Sequence, residues 1–211
     1  MGVKERRERE KSETRDKILD AARELFVTEG YEGVSMRRVA EKIEYSPTAI
    51  YVHFADKNEL FHELCQQDFG HLAEVFQSSA MSTDPVERLK QIGRTYIEFG
   101  VHYPNHYRFM FMTPHPLMEP NEEECEKMGN PEVDAYAFLK WAVQQAISAG
   151  RFREELTDAE LVSQTLWAAV HGVISLNIAK CKDPWVDWRP VQDRAEAMLD
   201  VTMRGLLREE K

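Results

Sequence analysis

Residues 35–57 read SMRRVAEKIEYSPTAIYVHFADK, and the spacing of caps and apolar positions predicts two short helices around a tight corner, then the start of a third. Ser35 is placed to cap a helix carrying Val39, Ala40 and Ile43, and Val34 just before it packs on Val39 as a hydrophobic staple. Ser46 caps the next helix. Pro47 stands at its first position, where a missing N–H leaves nothing unsatisfied, and Tyr45 with Ile50 makes a second staple. Asp56 caps the third, with Glu59 placed to close a capping box. Ile50 and Phe54 lie four apart and face inward against Ala40 and Ile43, which leaves Thr48, Ala49, Tyr51, Val52 and His53 outward. This is the layout of a helix-turn-helix whose second helix enters the major groove of DNA.

On these residues the stretch 39–57 resembles the DNA-binding domain of TetR-family transcriptional regulators. Tyr51, His53, Phe54 and Lys57 carry the likeness, as a Tyr-x-His-Phe run with a Lys near the start of the next helix. The resemblance implies that Tyr51, His53 and Lys57 hold phosphates, while Pro47, Thr48, Ala49 and Val52 approach base edges. Ser35, Arg37, Arg38 and Ser46 complete the candidate DNA-binding set. Where the family commonly has Gly in the turn, this chain has Glu44, which must tolerate a positive φ at a cost of about 1 kcal/mol. Thr48 is the one clear hydrogen-bonding side chain among the base readers, and Ala49 and Val52 suit thymine methyl groups. Specificity must then also draw on DNA shape, on an N-terminal arm, or on Arg37 and Arg38.

Against that function stands the charge, 27 basic against 37 acidic residues, a net of −10. Its distribution removes the conflict. Residues 1–60 are close to neutral, and residues 1–19 are net positive, with Lys4, Arg6, Arg7, Arg9 and Lys11 clustered in what reads as a basic, flexible arm over 1–12. Phosphate binding needs a local positive face, not a basic protein. Cys65, Cys125 and Cys181 are widely spaced and form no CxxC pair, which fits a reducing cytoplasm. The N-terminus is charged and lacks an apolar stretch, so no signal peptide is expected. The most apolar segment, 161–179, is interrupted by Ser163, Gln164, His171 and Asn177, and reads as a buried helix rather than a membrane span.

Helical signals dominate the rest of the chain. Ile18, Ala22, Leu25 and Phe26 give a first helix its inner face, with Gly30 at its end. Phe61, Cys65, Phe69, Leu72 and Phe76 carry the third capped helix to about residue 78. Asp84-Pro85-x-Glu87 begins another helix, and Pro104 a short apolar one. Residues 113–130, with three prolines and a run of acids, read as a loop, either lid or disordered. Asn130-Pro131 then opens a helix closed by Gly150, Thr157 with Glu160 caps the apolar one, and Pro190 opens a last amphipathic helix. The expected fold is all-α with about nine helices: an arm over 1–12, a three-helix DNA-binding domain over 13–58, and a larger helical domain over 59–211 for effector binding and dimerisation.

The segment Trp167-x-x-x-His171-Gly172 resembles the C-terminal class of TetR regulators known as WHG. In the family the last two helices pair across a two-fold axis, and the apolar surplus on 158–180 independently calls for more cover than one neighbouring helix supplies. An effector cavity is expected among Phe76, Phe99, Tyr103, Tyr107, Phe109, Met110, Trp141, Trp167 and His171, where Met and aromatic walls suit a neutral, hydrophobic compound. Plain core packing explains many of these positions equally well. A buried His171 must in any case find partners for both ring nitrogens.

His102 and His106 have ligand-like spacing, but Pro104 between them breaks the helix, and neither metal nor cofactor is expected. No Ser-His-Asp order, P-loop or dinucleotide fingerprint points to an enzyme. Expected partners are an operator in double-stranded DNA, a small-molecule effector and a second copy of the chain, without a membrane. The competing reading is a helical enzyme or docking protein acting on an apolar small molecule; DNA affinity that falls steeply with salt separates the two.

Overall fold

Ten helices form among the described residues, which in this computed structural model are 2–115, 119–120 and 122–208. They are α1 (Val3–Gly33), α2 (Met36–Lys42), α3 (Pro47–Tyr51), α4 (Lys57–Ser79), α5 (Pro85–His102), α6 (Pro104–Phe111), α7 (Glu122–Lys127), α8 (Ala135–Ser148), α9 (Ala159–Lys180) and α10 (Val191–Leu206). No strand forms among these residues, and an isolated bridge pairs Phe152 with Leu207. The chain is all-α, with one helix more than expected.

The helix starts follow local hydrogen-bond chemistry. Ser35 Oγ accepts from the Arg38 N–H and Ser46 Oγ from the Ala49 N–H, each at 3.2 Å, and Pro47 opens α3. The corner between α2 and α3 is closed by Tyr45 N–H donating to the Ala40 carbonyl at 2.9 Å. Glu44, at the centre of that corner, has φ 61°, and among the described residues it is the one non-glycine in the left-handed region. Asp56 Oδ1 accepts from Glu59 N–H at 2.9 Å, while the Glu59 carboxylate reaches back to Ala55 N–H, one residue beyond the donor of the expected box. Asp84 accepts from the N–H groups of Val86 and Glu87 at the head of α5.

Four boundaries differ from those expected. The basic segment 3–12 belongs to α1, which is helical from Val3 and is interrupted by Gly30 at φ 72° before a last turn to Gly33. Inside the expected 113–130 loop, α7 forms, whereas 116–118 and 121 lie outside the described residues. The Asp134 carboxylate accepts from the N–H groups of Tyr136 and Ala137, so α8 begins after Asp134 and not at Asn130-Pro131, whose Asn130 side chain instead closes a turn onto Glu132. Asp158 rather than Thr157 caps α9, accepting from Glu160 and Leu161. In the last two cases a carboxylate that takes two orphan donors sets the boundary in place of a weaker neighbouring signal.

The chain divides into two compact units: residues up to Asp68 with the segment from Asn105, and Phe69 to Pro104 with the chain from Glu119 onward. A single boundary near residue 58 is therefore not where the packing divides. Side chains of 60–68 and of α6 fill the same core as α1: Phe26 and Phe61 meet edge-on at 5.2 Å between ring centroids, and Phe61 and Phe109 at 5.1 Å. Buried beneath them, Arg23 of α1 donates through Nε and Nη2 to both oxygens of Asp68 of α4 at 2.9 Å. In the second unit α9 packs against α5, α8 and α10. A Cβ on Gly93 of α5 would lie 2.6 Å from Leu199 Cδ2 of α10, so glycine is what admits this contact. Although α9 is long and apolar enough to cross a membrane by length and composition, Val162, Leu166, Val170 and Ile174 are buried in this unit.

Replacing Glu44 by Gly should raise stability by about 0.5 to 1 kcal/mol, because the left-handed backbone then carries no Cβ penalty. Urea unfolding measures this directly; a Glu44→Gly chain no more stable than the parent would show that the corner is not strained.

Candidate nucleic-acid interface

The outer side of α3 is open. Ile50 and Phe54 are fully buried, while Tyr51 is 54% and Val52 69% exposed. Pro47 and Thr48 are exposed beside them, and Ala49 is half-buried. Ser35 and Ser46 spend their hydroxyls on helix caps. The end of α3 is tied to α1: Arg15 Nη1 donates to the His53 carbonyl at 2.8 Å, and the guanidinium lies 4.2 Å over the Phe54 ring and 3.2 Å from Glu63. No local signal points to Arg15, whose partners are far away along the chain.

His53 is half-buried, and its Nδ1 has no hydrogen-bond partner among the described residues. Burial, followed by the positive charges of Lys11 and Arg15, holds its pKa below the ordinary imidazole value of 6.5. A contact from a neutral ring to phosphate is a hydrogen bond and not an ion pair. Lys57 Nζ donates to the Tyr31 carbonyl at 3.0 Å and sits 4.1 Å over the Tyr31 ring, so it is positioned by α1 before any ligand arrives. Arg37 pairs with Glu41 and Arg38 with Glu29, each at 3.0 Å, and the hydrogen bond and charge of Glu29 raise the Arg38 pKa.

The expected effector residues do not form one group. Tyr107 and Met110 are buried in the first unit, where Phe109 packs on Phe26 and Phe61. Phe99, Tyr103, Trp141, Trp167 and His171 belong to the second. There Trp167 Nε1–H donates to the hydroxyl of the buried Tyr96 at 3.0 Å, and His171 Nδ1 lies 3.3 Å from the same oxygen. Tyr96, absent from the expected effector set, is thus the hub of the cluster. Around it Tyr136 packs on Trp167, Phe138 on Trp141, and Phe99 with Tyr103 on His71. Arg88 covers the Trp141 ring at 4.7 Å. Glu160, held at about 2 by Lys140, Tyr136 and Gln164, fastens α9 to α8 at one side.

Comparison with known proteins follows the same division. Residues 18–64 match the model of bacterial regulatory proteins of the tetR family, and residues 89–202, more than half of the chain, match the tetracyclin repressor-like C-terminal domain. The chain belongs to the TetR family. This TetR-family chain is 40% identical over 72 residues to the transcriptional repressor AcnR of Corynebacterium diphtheriae, covering 34% of this chain and 38% of that protein. It is 31% identical over 102 residues to the transcriptional activator FasR of Mycolicibacterium smegmatis, covering 48% and 47%. The chain thus spans less than half the length of these curated relatives. The fatty acid degradation regulator FadR of Bacillus halodurans shares the fold, with a TM-score of 0.70 at 19% identity over 90% of this chain and 95% of that one.

In this TetR chain burial also lowers the pKa of His171 from its ordinary 6.5. The folded state therefore prefers the neutral ring. The stability this carries is complete above 6.5 and is lost as pH falls from there through the lower folded value. Urea unfolding between about pH 7.5 and 5.5 should show a steeper loss for the parent than for His171→Asn, at about 1.4 kcal/mol per unit of pKa difference. Parallel losses would place His171 outside the buried network.

Proposed function

We propose that this chain is a dimeric transcriptional regulator that represses from a pseudo-palindromic operator and is released by a small, largely hydrophobic effector. The observation that carries the DNA half is the capped, outward-facing α3, with Thr48, Tyr51 and Val52 exposed and Ala49 half-buried beside them. Thr48 and the Ala49 and Val52 methyls read bases, while Pro47 brings the helix start close to them. Tyr51, the His53 ring and Lys57 position the backbone, and Arg37 and Arg38 exchange their glutamates for phosphates. Of the two curated relatives named above one is a repressor and one an activator; the first supports repression, and a regulator acting on an operator would work in the cytoplasm.

The dimer half rests on what α9 and α10 leave uncovered. Leu161, Thr165, Ala168 and Leu176 are exposed along one side of α9, with half-buried Gly172 among them. Ala197, Val201 and Gly205 repeat every four residues along the exposed side of α10. Two apolar, small-residue stripes on adjacent helices suit a self-complementary two-fold interface. Two α3 helices would then meet successive major grooves about one helical turn apart. For the effector we take the second unit's group around Tyr96, with Phe99, Tyr103, Trp141, Trp167 and His171, whose aromatic faces and shared hydroxyl fit an apolar molecule bearing one polar atom. A ligand that changes packing against residues 69–79 acts on 57–68 along one continuous helix, and a coupling of about 1 to 3 kcal/mol makes a useful switch.

Selection of binding sites from a random duplex pool tests the DNA reading. Thr48→Ala should relax preference at one base pair of each half-site by about 1 to 3 kcal/mol. Tyr51→Ala should weaken binding to all sequences alike. No selected sequence with the parent chain would overturn the regulator assignment.

A double change, Leu176→Glu with Val201→Glu, should convert dimer to folded monomer by light scattering. Persistence of the dimer would move the interface elsewhere.

A further inference from the structure

The first three turns of α1 sort their charges by face. At 100° per residue, Lys4, Arg7, Lys11 and Arg15 fall within about 80° of the helix circumference, the arc that continues into buried Ile18 and Ala22. No acid of these turns falls within that arc, and Glu8 borders it about 20° beyond Arg15. Arg6 and Arg9 lie on the far side, neutralised by Glu10 and Glu13 in i,i+4 pairs at 2.7 and 3.5 Å. Lys4, Arg7 and Lys11 are exposed and make no ion pair among the described residues. Arg15 fixes where this arc points, because its guanidinium bonds the His53 carbonyl at the end of α3 and stacks on Phe54.

We propose that the N-terminal turns of α1 are a rigid phosphate track, in which Lys4, Arg7 and Lys11 follow the DNA backbone onward from the end of the recognition helix α3. The proposal rests on the DNA-binding reading above and extends it to a surface outside the helix-turn-helix. From residue 4 to residue 15 the helix rises about 16 Å, which takes the three cations past more than one phosphate of a strand. A helix holds them there in advance, whereas a disordered arm would lose conformational freedom on binding. The opposite face, with its arginines already paired, points the neutralised charges away.

The experiment measures affinity for a mixed-sequence duplex of about 30 base pairs, long enough for two half-sites, by anisotropy across a potassium chloride series. Removing the track with K4Q/R7Q/K11Q, which keeps good helix formers, should flatten the slope of log affinity against log salt by roughly 2 to 3 per bound protomer, at about 0.9 per phosphate contact. R6Q/R9Q should leave the slope at the parent value, and the charge-keeping K4R/R7K/K11R should retain it as well. An unchanged slope for K4Q/R7Q/K11Q overturns the track while leaving the regulator reading intact. Equal flattening per charge by R6Q/R9Q also overturns it, since net charge and not position would then be responsible. A parent chain without salt-dependent affinity for the duplex overturns both.

Discussion

A guanidinium and a carboxylate buried side by side hold the first unit in register. Arg23 and Asp68 are 5% and 2% exposed, and two parallel bonds of 2.9 Å join them. Removing water from both charges is expensive, and the pair is tolerable only because the fork geometry satisfies each side. Loss of either partner would strand a buried charge at a cost of about 3 to 5 kcal/mol. Asp20 takes a further bond from Arg23 at 2.6 Å, and His106 Nε2 of α6 stands 3.9 Å from Asp68. The clamp therefore sets α1, α4 and α6 together. Arg15 of α1 holds the His53 carbonyl at the end of α3, Lys57 of α4 holds the Tyr31 carbonyl of α1, and α2 packs directly on α3.

What could be read from the sequence was local. Ser35, Ser46, Asp56 and Asp84 cap helices within three residues of themselves, and the inward pair Ile50 and Phe54 follows from helical periodicity alone. The strained Glu44 was legible through the family resemblance, which puts a Gly at that corner. Contacts across long separations were not. Nothing near Arg23 or Arg15 names Asp68 or His53 as a partner, and a stripe of aromatics such as Tyr107, Phe109 and Met110 has the same spacing in a core as in a cavity wall. Where two cap signals competed, as Thr157 with Asp158, spacing alone did not rank them; the carboxylate prevailed.

The second unit makes a different use of the same materials. At its centre one tyrosine hydroxyl serves both an indole N–H and an imidazole nitrogen. On the proposed effector reading, a guest bearing a polar atom would meet a hydroxyl whose partners can be rearranged. Lys140, Tyr136 and Glu160 tie α8 to α9 at the rim, so the aromatic cluster is framed by ion pairing on one side and by close helix contact at Gly93 on another.

On the proposed reading, the glutamates opposite Arg37 and Arg38 make docking on DNA an exchange in which one anion displaces another. Each is an intramolecular competitor at fixed high local concentration, absent from no solution and diluted by none. Contacts with random polyanions are thereby discounted at the outset, and only an alignment that also satisfies the groove-facing side chains makes the displacement worthwhile. In an acidic protein with a small cationic edge, such carboxylates would sharpen discrimination rather than oppose binding.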